Sequence, residues 1–251
     1  MLAREAHVAP VAEIQIWAKV GSADEGPGEA GLAHFHEHML FKGTGQRGVG
    51  EVAAEIEGEG GRINAYTSFD MTVYHATLPS ESLEVGMGVL SDAVRHSVFD
   101  PDEVAREIEV VLEEIRRSKD SPHHVLGEAL FAEAYRSHPY RAPILGTSES
   151  VAGFTQAKLL DFYRRWYTPE NLLVVVVGDF ETGRAVDLVA KAFESAEPGQ
   201  ARRNRPLEPP QEELRSCILQ RSFERASLEL GWASAASRGL VPHASARTLL
   251  R

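Results

Sequence analysis

Two histidines four residues apart, with a glutamate directly before the second, form the most reactive stretch of this chain: His34, Glu37 and His38 in GLAHFHEHML (31–40). On a helix each residue advances about 100°, so His34 and His38 stack on one face and Glu37, one turn after His34, falls beside them. His36 lies about 200° from His34 and points away. Two neutral imidazoles one turn apart can hold a tetrahedral Zn²⁺. A carboxylate next to them can take a proton from water that the metal has acidified. The order is H-x-x-E-H; the reverse order, H-E-x-x-H, is absent because His36-Glu37 is followed by His38-Met39-Leu40. Paired histidines alone occur by chance on ordinary helices, but the added glutamate within an apolar helix favours the metal reading.

A catalytic zinc takes three protein ligands and keeps one position open. The third can come from the helix that begins after Asp100-Pro101. Val104, Ile108, Val111 and Ile115 form its apolar stripe. Glu107 and Glu114, two turns apart, border that stripe, whereas Glu113 lies opposite it with Arg106, Glu109, Arg116 and Arg117. Glu114 can therefore reach a buried metal, and Glu113 is expected in solvent. Glu107 reads equally well as an ion-paired edge residue or as a support for the metal site.

The elements that must carry these residues can be read from periodicity. Residues 12–20 alternate apolar and polar, as a strand with one buried face does. Helices are expected over 31–42, 49–57, 81–96, from Pro101 with Asp100 as N-cap, and over 125–135, 155–166 and 184–193. Residues 63–78, rich in Thr, Tyr and Val, read as extended chain, and 172–177, LLVVVV, as a central strand. The proline-rich, charged stretch 195–215 reads as a linker or long loop. Residues 216–232 have strand character in two pieces, and the Ala/Ser-rich end, 233–251, could start a helix. Strands and helices mix without strict alternation, so the fold class is α+β: one sheet of mostly antiparallel strands packed with several helices.

Composition narrows the function classes. The 251 residues carry 26 Lys+Arg against 37 Asp+Glu, a net charge of −11, which argues against nucleic-acid binding through phosphates. A single cysteine, Cys217, excludes a disulfide framework within the chain and a cysteine-based zinc cluster. No apolar run reaches membrane-spanning length. The chain is expected to be soluble; its compartment is open, cytoplasm or periplasm if the protein is bacterial.

Five blocks in order, GLAHFHEHMLFKGT (31–44), NAYTSFDMTVYHATLP (64–79), EIEVVLEEI (107–115), HPYRAPILGTSESV (138–151) and FYRRWYTPENLLVVVVGDF (162–180), resemble the inverzincin peptidases of family M16, which includes mitochondrial processing peptidase, pitrilysin and insulin-degrading enzyme. The resemblance implies the M16/LuxS-like metallohydrolase fold and a zinc metalloendopeptidase acting on peptides or unfolded polypeptides. It implies one Zn²⁺ per chain on His34, His38 and Glu114, although His₂Glu sites also accept Mn²⁺ or Co²⁺. It makes Glu37 the general base and Glu107 the support for the metal site. It also makes Asn64, Ala65, Tyr66 and Thr67 an edge strand that binds substrate as an added β-strand. The matching region implies a catalytic domain over 1–232 with its first strand cut short, and 233–251 as a poorly matching tail or the start of a second domain. In the family a second, similarly folded domain completes the working unit, so a partner half, as a homo- or heterodimer, is expected. The competing expectations are a truncated, inactive or structural subunit, and a small-molecule hydrolase or lyase on a related fold.

Overall fold

The computed structural model describes residues 1–196, 198–199, 201–233 and 244–249. In chain order the elements are β1 (Leu2–Glu5), β2 (Val11–Ala18), α1 (Leu32–Met39), α2 (Glu51–Gly58), β3 (Arg62–Thr67), β4 (Thr72–Pro79), α3 (Leu83–His96), α4 (Pro101–Ser118), α5 (Pro122–Ala134), α6 (Ser148–Ala152), α7 (Gln156–Trp166), β5 (Leu172–Gly178), α8 (Thr182–Phe193), β6 (Leu228–Ala233) and β7 (Ala244–Leu249). Five strands form one sheet in the order β1-β5-β2-β4-β3, antiparallel throughout except for the parallel pair β1–β5. The α+β class expected from the sequence is the observed one. No helix among the described residues is long and apolar enough to cross a membrane.

Strand alternation sets the core. Ile14, Ile16 and Ala18 of β2 and Ala76 of β4 are fully buried, and Tyr74 and Val176 join them on the helix side of the sheet. Gly86 lets α3 approach this face, since a Cβ there would lie 2.8 Å from Leu78 Cδ2. A second core cluster, including Leu32, Phe35, Met39, Val111, Phe162 and Trp166, fixes α1 against α4 and α7.

The start of α1 is fixed by a backbone crossing. Gly31 adopts φ +92° and Gly146 φ +74°, conformations that favour glycine. A Cβ on Gly146 would meet the Ala30 carbonyl at 2.3 Å, and one on Gly31 the Leu145 carbonyl at 2.6 Å. The Glu25 carboxylate accepts from the Gly31 and Ala33 N–H groups at 2.9 and 2.8 Å. It thereby satisfies donors that a helix start leaves unpaired. The α4 start follows the sequence: the Asp100 side chain accepts from the Asp102 and Glu103 N–H groups, with Pro101 at the first helical position.

The long loop expected over 195–215 carries no helix or strand among its described residues, and two other expectations, for 216–223 and for the tail, are revised. The loop after α8 is a strap tied across the body. Arg205 pairs with Asp24 at 2.8 Å and Asp70 at 2.5 Å, and Glu208 accepts the N–H groups of Arg136, Ser137 and His138 at 2.7–2.9 Å. Of the two strand pieces expected in 216–232, only the second forms, as β6. Residues 216–223 have no ladder partner among the described residues, so β-propensity there goes unused. The tail does not begin a helix where it is described: 244–249 is β7, antiparallel to β6, because a ladder partner outweighs the weak preferences of Ala and Ser. The rest of that tail, 234–243 and 250–251, lies outside the described residues.

Gly146→Ala is expected to destabilise the chain by about 3 kcal/mol, from a left-handed φ plus a backbone collision. The urea midpoint should fall with an unchanged slope. A shift under about 1 kcal/mol would show that the crossing does not constrain the start of α1.

Candidate metal centre

Helix α1 presents His34 and His38 to the flank of α4. Their rings sit edge to face with centroids 4.6 Å apart. Glu114 Oε2 lies 3.7 Å from His34 Nε2 and 3.5 Å from His38 Nε2. The three potential ligand atoms all fall within 4.8 Å of one another. Ligand atoms bound tetrahedrally at zinc distances lie about 3.3 Å apart, so two imidazoles and one carboxylate here fit such an ion with small adjustments. The set also leaves a fourth position for water or substrate.

The protonation states suit ligation. Burial, with the charge of His38 adding to it, pushes His34 down to about 3, so its ring is neutral near pH 7. His38 behaves differently. Burial pulls its pKa down, but the Glu107 hydrogen bond and the surrounding carboxylates overcome this and raise it above the ordinary histidine value. His38 Nδ1 lies 2.7 Å from Glu107 Oε1. That contact places the ring proton on Nδ1 and leaves Nε2, the atom facing Glu114, free to bind.

Glu107 is buried (3% exposed), which would raise its pKa. The hydrogen bonds and charges of His38 and Lys42 outweigh burial and hold its carboxyl below the usual range. Lys42 Nζ sits 2.6 Å from Glu107 Oε2. This lysine was missed in the sequence, although its place four residues after His38 was a usable signal. The contrast expected between Glu113 and Glu114 is one of direction. Both side chains are 43% exposed, but Glu113 pairs with Arg116 and Arg117 while Glu114 turns to the histidines. His36 faces away, fully buried, with Nδ1 2.8 Å from the Leu32 carbonyl and Nε2 2.9 Å from that of Leu159. Two carbonyls favour a charged ring, but burial wins and lowers its pKa to about 4.

Glu37 lies beside this group, half-buried. Burial pushes its carboxyl above the ordinary range against the pull of the Thr67 hydrogen bond and of His38. Thr67 Oγ1 donates to Glu37 Oε2 at 2.6 Å. Thr67 ends β3, which pairs with β4 on one side and with no strand on the other among the described residues. Along β3, Arg62, Asn64 and Tyr66 are exposed, while Ile63, Ala65 and Thr67 turn inward. Asn64, Ala65, Tyr66 and Thr67 thus lie on a free sheet edge that runs up to Glu37.

Residues 1–148 match the family model described as insulinase (peptidase family M16), and residues 153–240 the one described as the peptidase M16 inactive domain. The chain belongs to peptidase family M16. An uncharacterized zinc protease of Rickettsia felis is 35% identical to this M16 chain over 187 residues, covering 74% of it and 45% of the relative. A protease from Helicobacter pylori shares the fold with a TM-score of 0.80 at 30% identity, over 86% of this chain and 54% of that one. The first half of the periplasmic protease PqqL from Escherichia coli matches with a TM-score of 0.75 at 30% identity, over 84% and 47%. The chain spans about half the length of the curated relatives it matches. M16 membership and the zinc-protease names of its relatives agree with the donor set found between α1 and α4.

The pKa directions predict how zinc binding depends on pH. His38 must lose its proton to bind, and its pKa is raised, so affinity falls with acid from a pH above the ordinary histidine value, by about tenfold per unit. His34, already neutral, adds no slope until near pH 3. In Glu107→Gln the His38 pKa drops, so the acid limb moves to lower pH while affinity at alkaline pH falls about tenfold. Chelator-competition titrations across pH check both; an unmoved limb in Glu107→Gln would remove Glu107 from this role.

Proposed function

We propose that the chain is a zinc metalloendopeptidase domain that hydrolyses peptide bonds in peptides or unfolded polypeptides. The observation that carries this reading is the convergence of His34, His38 and Glu114 with Glu37 at the end of the free-edge strand β3. His34, His38 and Glu114 would hold one Zn²⁺, with Glu107 fixing the His38 ring. Zinc bound there would supply Lewis acidity, lowering the pKa of a water and polarising the scissile carbonyl. Glu37 takes the proton from the attacking water and passes it to the leaving amine. Its raised pKa suits the first transfer, since a stronger base takes the proton from water more readily.

The substrate lies along β3 as an added strand. Main-chain hydrogen bonds to Asn64–Thr67 give affinity without regard to sequence, and the exposed side chains of Asn64 and Tyr66 give preference. Free donors and acceptors on that edge suit extended peptide better than a compact small molecule. A partner half, a second M16-type domain or subunit in a homo- or heterodimer, completes the substrate chamber. The match to the first half of a larger protease supports this part, and the inactive-domain match over 153–240 favours a second reading, a structural or inactive subunit.

The test is cleavage of a mixed peptide library by the zinc-loaded chain, read by mass spectrometry, beside Glu37→Gln. The parent should cut, and the variant should keep its zinc while losing roughly 10³-fold in rate. A variant that cuts nearly as fast as the parent would remove Glu37 as the base. A zinc-bound parent that cuts nothing would favour the structural-subunit reading.

A further inference from the structure

The role of Thr67 in this site follows from hydrogen bonding at the end of the β3–β4 hairpin. Thr67 and Thr72 are directly opposed, the last pair of the ladder before the turn at 68–71. That turn is closed by the Ser68 N–H to the Met71 carbonyl at 2.8 Å and by the Ser68 hydroxyl to the same carbonyl at 3.2 Å. The backbone of Thr67 is therefore held from both sides.

Its hydroxyl has one proton to give, and two acceptors lie near. Glu37 Oε2 is at 2.6 Å and Thr72 Oγ1 at 3.5 Å. The first is the length of a charge-assisted O–H···O⁻ bond; the second is at the outer limit of any hydrogen bond. Thr72 is already engaged: it is fully buried and donates its one hydroxyl proton to the Val20 carbonyl at 3.1 Å. With Thr72 turned to Val20, the close partner of the Thr67 hydroxyl is the Glu37 carboxylate.

Strand alternation supports the same assignment. Asn64 and Tyr66 turn outward, where a peptide added to β3 would meet their side chains, but Thr67 turns inward to α1. Its backbone remains part of the substrate edge while its side chain serves the base. Glu37 needs such support. Its three side-chain torsions leave the carboxylate many positions, and catalysis requires one, within hydrogen-bond reach of the attacking water.

We infer that Thr67 is a positioning residue: its hydroxyl, on a backbone held at the end of the β3–β4 ladder, aims the Glu37 carboxylate at the metal-facing side of the site. The inference rests on the general-base role of Glu37 proposed above. It separates two functions within one short strand, substrate binding by the backbone and base alignment by a side chain.

The test compares Thr67→Val, which keeps shape and removes the hydroxyl, with Thr67→Ser, which keeps the hydroxyl. Crystal structures of the zinc-loaded chain give the first readout. In Thr67→Val the Glu37 carboxylate should leave its place or split between rotamers, with His34, His38 and Glu114 unmoved; in Thr67→Ser it should stay. Kinetics on the library peptide cut best by the parent give the second. Thr67→Val should lose about 10- to 100-fold in kcat with KM unchanged, and Thr67→Ser should recover most of it. If valine is not tolerated at the turn, Thr67→Ala removes the same hydroxyl without bulk. A Glu37 carboxylate unmoved in the variants that lack the hydroxyl would overturn the inference. So would a rise in KM at constant kcat, which would assign the hydroxyl to substrate. An inactive parent would count against the peptidase reading alone, since the carboxylate position still decides the role of Thr67.

Discussion

Charge crowding between α1 and α4 is the constraint around which the rest is arranged. Glu37, Glu107 and Glu114 share one margin of the core with two imidazoles, and Lys42 is the one lysine or arginine that pairs with any of them among the described residues. Carboxylates at such a margin repel one another and resist desolvation unless a cation or good donors compensate. The chain supplies donors one by one: Lys42 and His38 to Glu107, and Thr67 to Glu37. Among the described residues Glu114 has only the two imidazole nitrogens before it, each at ion-pair distance rather than hydrogen-bond distance. A divalent cation held by those three atoms would relieve the remaining negative charge, so the same arrangement that is costly for the metal-free chain favours metal binding.

Such a site depends on rigid placement of two helices. At its start α1 is locked by the Gly31–Gly146 crossing and the Glu25 cap, and along its length by Leu32, Phe35 and Met39 in the second core cluster. His36 belongs to this scaffold. It occupies the far face of the helix, packs against Phe99, Phe162 and Tyr167, and bonds to a carbonyl of α7. Thus a helix with three closely spaced histidines divides them by face, two toward Glu114 and one into the packing. The strap after α8 adds a tie on the side of the hairpin turn, where Arg205 bridges Asp24 and Asp70 and Tyr140 donates to Asp70 at 2.5 Å.

What could be read from the sequence was local. The i, i+4 spacing of His34 and His38 fixes a shared face, and Asp100-Pro101 fixes the start of the helix that carries Glu107 and Glu114. The LLVVVV run announces an interior strand. Features set by distant partners could not be read. Nothing local shows that Arg205 meets Asp24, or that Glu208 caps three backbone N–H groups some seventy residues away. The strand propensity of 216–223 and the helical look of the tail were misleading because ladder pairing, not propensity, decides strands. Thr67 was placed with the substrate strand through resemblance, and its inward face became visible only once the register of β3 against β4 was known. Lys42 escaped because a lysine at a helix end is usually solvated.

The account stands or falls on whether His34, His38 and Glu114 together hold one metal ion. Zinc K-edge X-ray absorption on the zinc-loaded chain, with metal content measured on the same sample, addresses this directly. The account predicts about one zinc per chain, with a first shell of nitrogen and oxygen near 2.0–2.2 Å and outer-shell scattering from two imidazoles. That imidazole signal should fall to one ring in His38→Ala. A folded chain that takes up no zinc, or a zinc shell without imidazole scattering, would contradict it.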